Sequence, residues 1–257
     1  MSPLWCGTNF IVRNVTRNPI SSNSIKQNKT IGILGGMGPE ATALFYQEII
    51  YQCQKQYGAQ YDRDFPEIFI YSLPIPDIVN GIKDPEKIMP FLVKGIRKLE
   101  YAGADFIVMP CNTIHYFFDE MKKYSSIPML NIIEEVAKKA KSTNCRKIGL
   151  LATATTIDNK LYDKILEKYG IGLIIPKQQE RVTEIILNIL AGKKLESDKE
   201  ALKILVAEMK ELGADAIVLG CTDIPILLKQ EDVDIVLLDT IKTLAESTVK
   251  YAIGDIE

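Results

Sequence analysis

From residue 30 onward the chain alternates between two kinds of segment. Short runs of mostly branched apolar residues recur at 31–34, 67–71, 106–109, 129–131, 148–151, 172–175, 216–219 and 236–238, and Gly, Pro, Ser, Asp or Asn closes most of them. Between most of these runs lie longer stretches whose apolar positions return every three or four residues, the first over 41–55. Apolar residues on consecutive positions suit strands buried on both faces, and the longer period suits amphipathic helices. The alternation predicts an α/β fold with mainly parallel sheets flanked by helices.

The pattern is also doubled. Gly103-Ala-Asp-Phe-Ile-Val-Met-Pro-Cys111-Asn-Thr113 and Gly213-Ala-Asp-Ala-Ile-Val-Leu-Gly-Cys221-Thr-Asp223 agree at six of eleven positions. Ile31-Gly-Ile-Leu-Gly35 and Ile148-Gly-Leu-Leu-Ala152 match more loosely at a similar offset, and each would open a half with its first strand. We therefore expect two similar, intertwined α/β halves, roughly 30–145 and 146–257, related by a pseudo-two-fold axis. The C-terminal helix is placed to return to the first half. Functional groups in parallel sheets gather at the carboxyl ends of strands, where Cys111 and Cys221 both fall. A cleft between the halves would then carry one thiol on each wall.

Two facing thiols suit proton transfer at a carbon acid, one removing the α-hydrogen and the other protonating the opposite face. A helix is expected after each cysteine, with Asn112-Thr113 and Thr222-Asp223 as its N-capping residues. Its first-turn N–H groups would draw a thiol from about 8.5 toward neutrality and would cradle a carboxylate. A single buried cysteine is more often packing than chemistry, and the mirrored context of the pair is what sets these two apart. His115, the only histidine, follows Cys111 by one helical turn and is read as orienting that loop.

Composition narrows the remaining classes. The chain is 47% hydrophobic and 25% charged, enough for a full core, and its 31 basic and 33 acidic residues are mixed, giving no basic stripe for nucleic acid. No apolar run approaches the roughly 20 residues of a membrane span, so no membrane partner and a cytoplasmic location are expected. Five scattered cysteines without a C-x-x-C pair argue for reduced thiols, and one histidine leaves no metal set. The turn Gly35-Gly36-Met37-Gly38-Pro39 formally opens a G-x-G-x-x-A pattern, but the ribose-binding acid expected at the end of the next strand is missing. It reads instead as a tight strand-to-helix turn whose bare amides could hold a carboxylate. Residues 1–29 hold four basic residues, no acid and many Ser, Asn and Thr, and are set aside as a poorly ordered extension.

These motifs resemble the aspartate/glutamate racemases, more closely the aspartate racemase branch. The carriers are Ile31-Gly-Ile-Leu-Gly-Gly-Met-Gly-Pro39, Met109-Pro-Cys-Asn-Thr-Ile-His115, Leu150-Leu-Ala-Thr153 with Thr156, and Leu219-Gly-Cys-Thr-Asp223, within a match over about residues 30–250. The resemblance implies pyridoxal-phosphate-independent racemisation with no cofactor, frequent dimers, and catalytic roles for Cys111 and Cys221. It further implies substrate contacts at Met37, Asn112, Thr113, Thr153, Thr156 and Thr222, with Gly36, Asp223 and His115 in support. Aspartate is the first substrate it suggests; glutamate, a broader amino-acid range, and a non-catalytic amino-acid-binding regulator are the alternatives. Two departures bear on that choice. Ile78 stands where aspartate racemases carry the arginine that holds the side-chain carboxylate, and Asp223 stands where the family more often has Glu. The family's partner lysine would fall near residues 191–194.

Overall fold

Ile31-Gly-Ile-Leu-Gly35 has no polar side chain and forms the fully buried strand β1 (Ile31–Gly35). In the computed structural model, which describes residues 28–256, β1 pairs in parallel with β2 (Ile68–Ser72) on one side and β3 (Phe106–Val108) on the other. A second parallel sheet has the order β5-β4-β6-β7, built from β4 (Lys147–Leu151), β5 (Gly172–Ile174), β6 (Ala216–Leu219) and β7 (Val236–Asp239). The two central crossovers match: β3 lies beside β1 as β6 lies beside β4.

The helices are α1 (Pro39–Tyr57), α2 (Pro85–Ala102), α3 (Phe118–Lys122), α4 (Ile132–Ser142), α5 (Ala154–Asp158), α6 (Asp163–Tyr169), α7 (Gln179–Leu190), α8 (Glu196–Glu211) and α9 (Thr240–Ile253). Alternate strand residues serve different cores. Ile31, Ile33, Phe106 and Val108 of the first sheet and Ile148, Leu150, Ala216 and Val218 of the second share one central core with Phe45, Val136 and Leu244 of α1, α4 and α9. The other faces pack outward, Leu34 and Ile107 under α2, Ile217 and Leu219 under α7 and α8. Each large apolar side chain so buried contributes about 1.5–3 kcal/mol, and the shared core joins the halves.

The repeat has a structural cause. Gly103 and Gly213 take the left-handed conformation (φ 98° and 90°) as their helices end, which a β-carbon disfavours. The Asp that follows closes the neighbouring strand: Asp105 Oδ2 accepts from Thr30 N (2.6 Å), and Asp215 Oδ2 accepts from Arg146 N (2.7 Å) and Lys147 N (2.9 Å). The strand then delivers a cysteine at its carboxyl end.

Two sequence expectations are corrected. The run 129–131 is no full strand but a single bridge from Met129 to Ile107, because Pro128 has no N–H to give and Asn131 turns its side chain to cap α4, accepting from Ile133 N (2.9 Å). The first helix starts at Pro39, earlier than the apolar period shows, since proline suits a first helical position. The extension read over 1–29 lies outside the described residues up to 27. Lys29 is tied to the far end of the chain, its N–H donating to Ala252 O (2.9 Å).

Candidate active site

Cys111 and Cys221 line one cavity of about 150 Å³ where the carboxyl ends of β3 and β6 converge. Both thiols are buried. The backbone N–H groups of Thr113 and Ile114 donate to the Cys111 sulfur, and that of Asp223 to the Cys221 sulfur. These amides favour thiolate, but burial outweighs them. It pushes Cys111 up to about 12 and Cys221 well above its usual value, with the Asp223 carboxylate opposing a second negative charge beside each. The expectation of near-neutral thiols is thus overturned: both sulfurs are held as thiols.

The helices expected after the cysteines are also corrected. Cys111 is followed by a 3₁₀ stretch, Thr113–Phe117, and Cys221 by a single 3₁₀ turn, Ile224–Ile226, and neither Asn112 nor Asp223 caps with its side chain. Their polar groups are engaged elsewhere. Asn112 bonds Tyr162 and Thr240, and the Asp223 carboxylate accepts from the Cys221 thiol at 3.7 Å. Burial pushes Asp223 up to about 6, with Glu40 adding to the effect.

Three buried hydroxyls meet at the seam between the halves. Thr113 Oγ1 lies 2.9 Å from Thr153 Oγ1 and 3.3 Å from Thr156 Oγ1, and the latter two are 3.0 Å apart. Thr113, Thr153 and Thr222 line the cavity, as do Gly36, Met37 and Asn112, whereas Thr156 and His115 stand behind it. His115 accepts from Ile132 N through Nε2 (3.2 Å), so Nδ1 carries the proton and donates to Cys111 O (2.8 Å). Burial lowers its pKa to about 4 and keeps it neutral. It therefore ties the Cys111 loop to the start of α4.

The glycine turn is less open than its sequence implies. Gly36 (φ 90°) donates its N–H to Thr42 Oγ1 at 2.9 Å, and Thr42 donates to Gly38 O at 2.8 Å, so the Gly36 amide is already committed. A β-carbon on Gly36 would sit 2.5 Å from Leu73 N. The turn brings Met37 and Gly38 to the cavity edge.

Residues 34–248 match the Asp/Glu/Hydantoin racemase family. The chain belongs to that family. It is 36% identical to the broad specificity amino-acid racemase RacX of Bacillus subtilis over 85% of this chain and 96% of that protein. Its fold matches the crystal structure of an aspartate racemase homologue from Pyrococcus horikoshii OT3, with a TM-score of 0.74 and 30% identity over 87% of this chain and 99% of that one. The aspartate racemase of Picrophilus torridus gives the same TM-score, 0.74, and 30% identity over 87% and 94% of the two chains.

In this racemase-family protein the cavity wall away from the thiols is largely apolar. Ile75, Pro76, Ile78, Val79 and Leu190 line it together with the exposed Asp77, and among the described residues no arginine or lysine does. Lys194, in the stretch where the family's lysine would fall, pairs at the surface with Glu40 (2.9 Å). The loop carrying Ile78 is pinned across the seam, because Thr155 Oγ1 donates to Ile78 O at 2.6 Å. Asp77, at the cavity edge, accepts from Val79 N of that loop at 3.0 Å. Sequence reasoning missed Thr155, Tyr162 and Thr240, since a lone Thr or Tyr between periodic segments carries no local signal of a long-range bond.

Proposed function

We propose that the protein interconverts the enantiomers of a free amino acid by two-base proton transfer between Cys111 and Cys221, without pyridoxal phosphate. The observation that carries this reading is the placement of both thiols at equivalent strand ends, facing one cavity. In the resting site both sulfurs are protonated, which suits the acid but not the base. An amino acid arrives with an α-ammonium group, whose positive charge inside a low-dielectric cavity favours thiolate; Asp223, ionised above about pH 6, stands beside Cys221 to take up its proton. Asn112, Thr113, Thr153 and Thr222 are the donors available to the α-carboxylate, with Met37 closing one side and Thr156 holding the hydroxyl triangle.

For the substrate, the apolar wall of Ile75, Ile78, Val79 and Leu190 favours a neutral or weakly polar side chain. A second carboxylate there would lose hydration, with no cation among the described residues lining the cavity to replace it and the Asp77 carboxylate at the same wall to repel it. Aspartate is the second reading, supported by the likeness to the aspartate racemases. Chiral chromatography across the twenty amino acids tests both: we expect neutral side chains to turn over faster than aspartate. Ile78→Arg should raise kcat/KM for aspartate about tenfold and lower it for neutral substrates, the scale of one charged hydrogen bond. A wild type that prefers aspartate, with Ile78→Arg giving no change, removes the apolar-wall reading.

Solvent deuterium entering the α-position separates an enzyme from an amino-acid-binding regulator. We place the reaction in the cytoplasm and, as the resemblance suggests, in a homodimer, whose assembly sedimentation equilibrium reads. Among the described residues no helix is long and apolar enough to cross a membrane, and no group of three or more His, Cys, Asp or Glu could hold a metal.

A further inference from the structure

A buried chain of hydrogen bonds crosses from one half to the other behind the thiols. Tyr162, fully buried between α5 and α6, has its hydroxyl 2.7 Å from Asn112 Oδ1. Asn112 Nδ2 donates to Thr240 Oγ1 at 3.1 Å, and Thr240, at the start of α9, donates onward to Leu219 O at 3.0 Å. The direction of the chain is fixed at its far end. Leu219 O can only accept, so the single hydroxyl hydrogen of Thr240 is spent on it and Thr240 must accept from Asn112. That places the amide nitrogen of Asn112 toward Thr240 and its oxygen toward Tyr162, whose hydroxyl must therefore donate.

The consequence concerns the second N–H of Asn112. One amide hydrogen goes to Thr240; the other has no protein partner among the described residues, while Asn112 lines the cavity next to Cys111. We infer that Tyr162 and Thr240 are positioning residues, which lock the Asn112 amide so that this N–H, and not the oxygen, meets the substrate carboxylate. With either bond gone the amide can turn over and present a lone pair to a carboxylate, converting attraction into repulsion. Leu219 also lies two residues before Cys221, so the same chain links the loop of one thiol to the strand that delivers the other.

The inference rests on the amino-acid reading of the cavity and goes beyond it to residues that do not line it. Its test is a double-mutant cycle read both as kcat/KM for racemisation and as Kd for the same amino acid by calorimetry. Tyr162→Phe and Thr240→Val, each nearly isosteric, should lower kcat/KM and weaken binding about tenfold to thirtyfold, while Thr240→Ser restores most of both. In an Asn112→Ala background, Tyr162→Phe should cause no further loss, since there is no amide left to orient. Independent, multiplying losses in that background, or a Thr240→Val protein as good as Thr240→Ser, would overturn the inference. A wild type that binds the amino acid without racemising it removes the enzyme reading alone, and the cycle then stands on Kd. A wild type that binds no amino acid overturns both.

Discussion

Replacing either cysteine, Cys111→Ala or Cys221→Ala, should reduce racemisation at least a thousandfold. General acid–base groups contribute about 10² to 10⁴ each, and each change removes the base for one enantiomer together with the acid that completes reaction of the other. The surviving thiol still has one face of the α-carbon before it. It can remove the hydrogen from one enantiomer and return a solvent proton to the same side, so deuterium enters one hand without inversion. The two variants should choose opposite hands. Chiral chromatography in deuterium oxide, followed by mass measurement, reads both effects at once. Near-native racemisation by either single variant would remove the two-thiol mechanism and leave one base acting from a single side.

Asp223→Asn should make the protein more stable and much less active. Burial pushes this carboxyl from 3.8 up to about 6, so the folded chain binds its proton more tightly than the unfolded chain does. Stability from this group is therefore greatest in acid, declines as pH rises from about 4 through 6, and is lowest above that. Two pKa units correspond to roughly 3 kcal/mol. The asparagine variant escapes that cost, and its thermal midpoint should rise by several degrees at pH 7.5 yet hardly change at pH 3.5. Its racemisation should fall about a hundredfold, because the carboxylate 3.7 Å from the Cys221 sulfur is the group proposed to take up that thiol's proton. The wild-type rate should also rise with pH through about 6, and the variant should lack that limb. Equal thermal midpoints at pH 7.5 would show that the carboxyl is not strained by burial.

Much of this was legible in the chain because strand and cysteine come as one unit. Gly103-Ala-Asp and Gly213-Ala-Asp end a helix, clasp a neighbouring strand and launch another, so the local chemistry of the repeat already contains the geometry that aims Cys111 and Cys221. The absence of an arginine at Ile78 was equally plain, and the apolar wall follows from it. What the sequence hid are effects that depend on distance through space. The sequence predicts near-neutral thiols from the first-turn amides of a helix after each cysteine; 3₁₀ segments stand there instead and amides still reach the sulfurs, but the closed surroundings of the cavity decide the balance. Asn112 and Asp223 look like caps in a linear reading. Their partners, Tyr162, Thr240 and the Cys221 sulfur, reveal other duties, and for Tyr162 and Thr240 nothing in the intervening residues announces the meeting.

The packing of α9 against α1 and α4 has a consequence for how the molecule comes into being. The inner face of the first sheet, with Ile31, Ile33 and Phe106, packs in one core with Phe45 of α1 and Val136 of α4, and Leu244 and Val249, near the other end of the chain, complete it. On the ribosome, where a chain emerges at about 5–20 residues per second, the first half spends several seconds with that core incomplete, waiting for a helix still to be translated. Its contacts are also long in sequence separation, a topology that folds slowly. The two halves of the repeat therefore share one core, which is complete only once the last helix has been made.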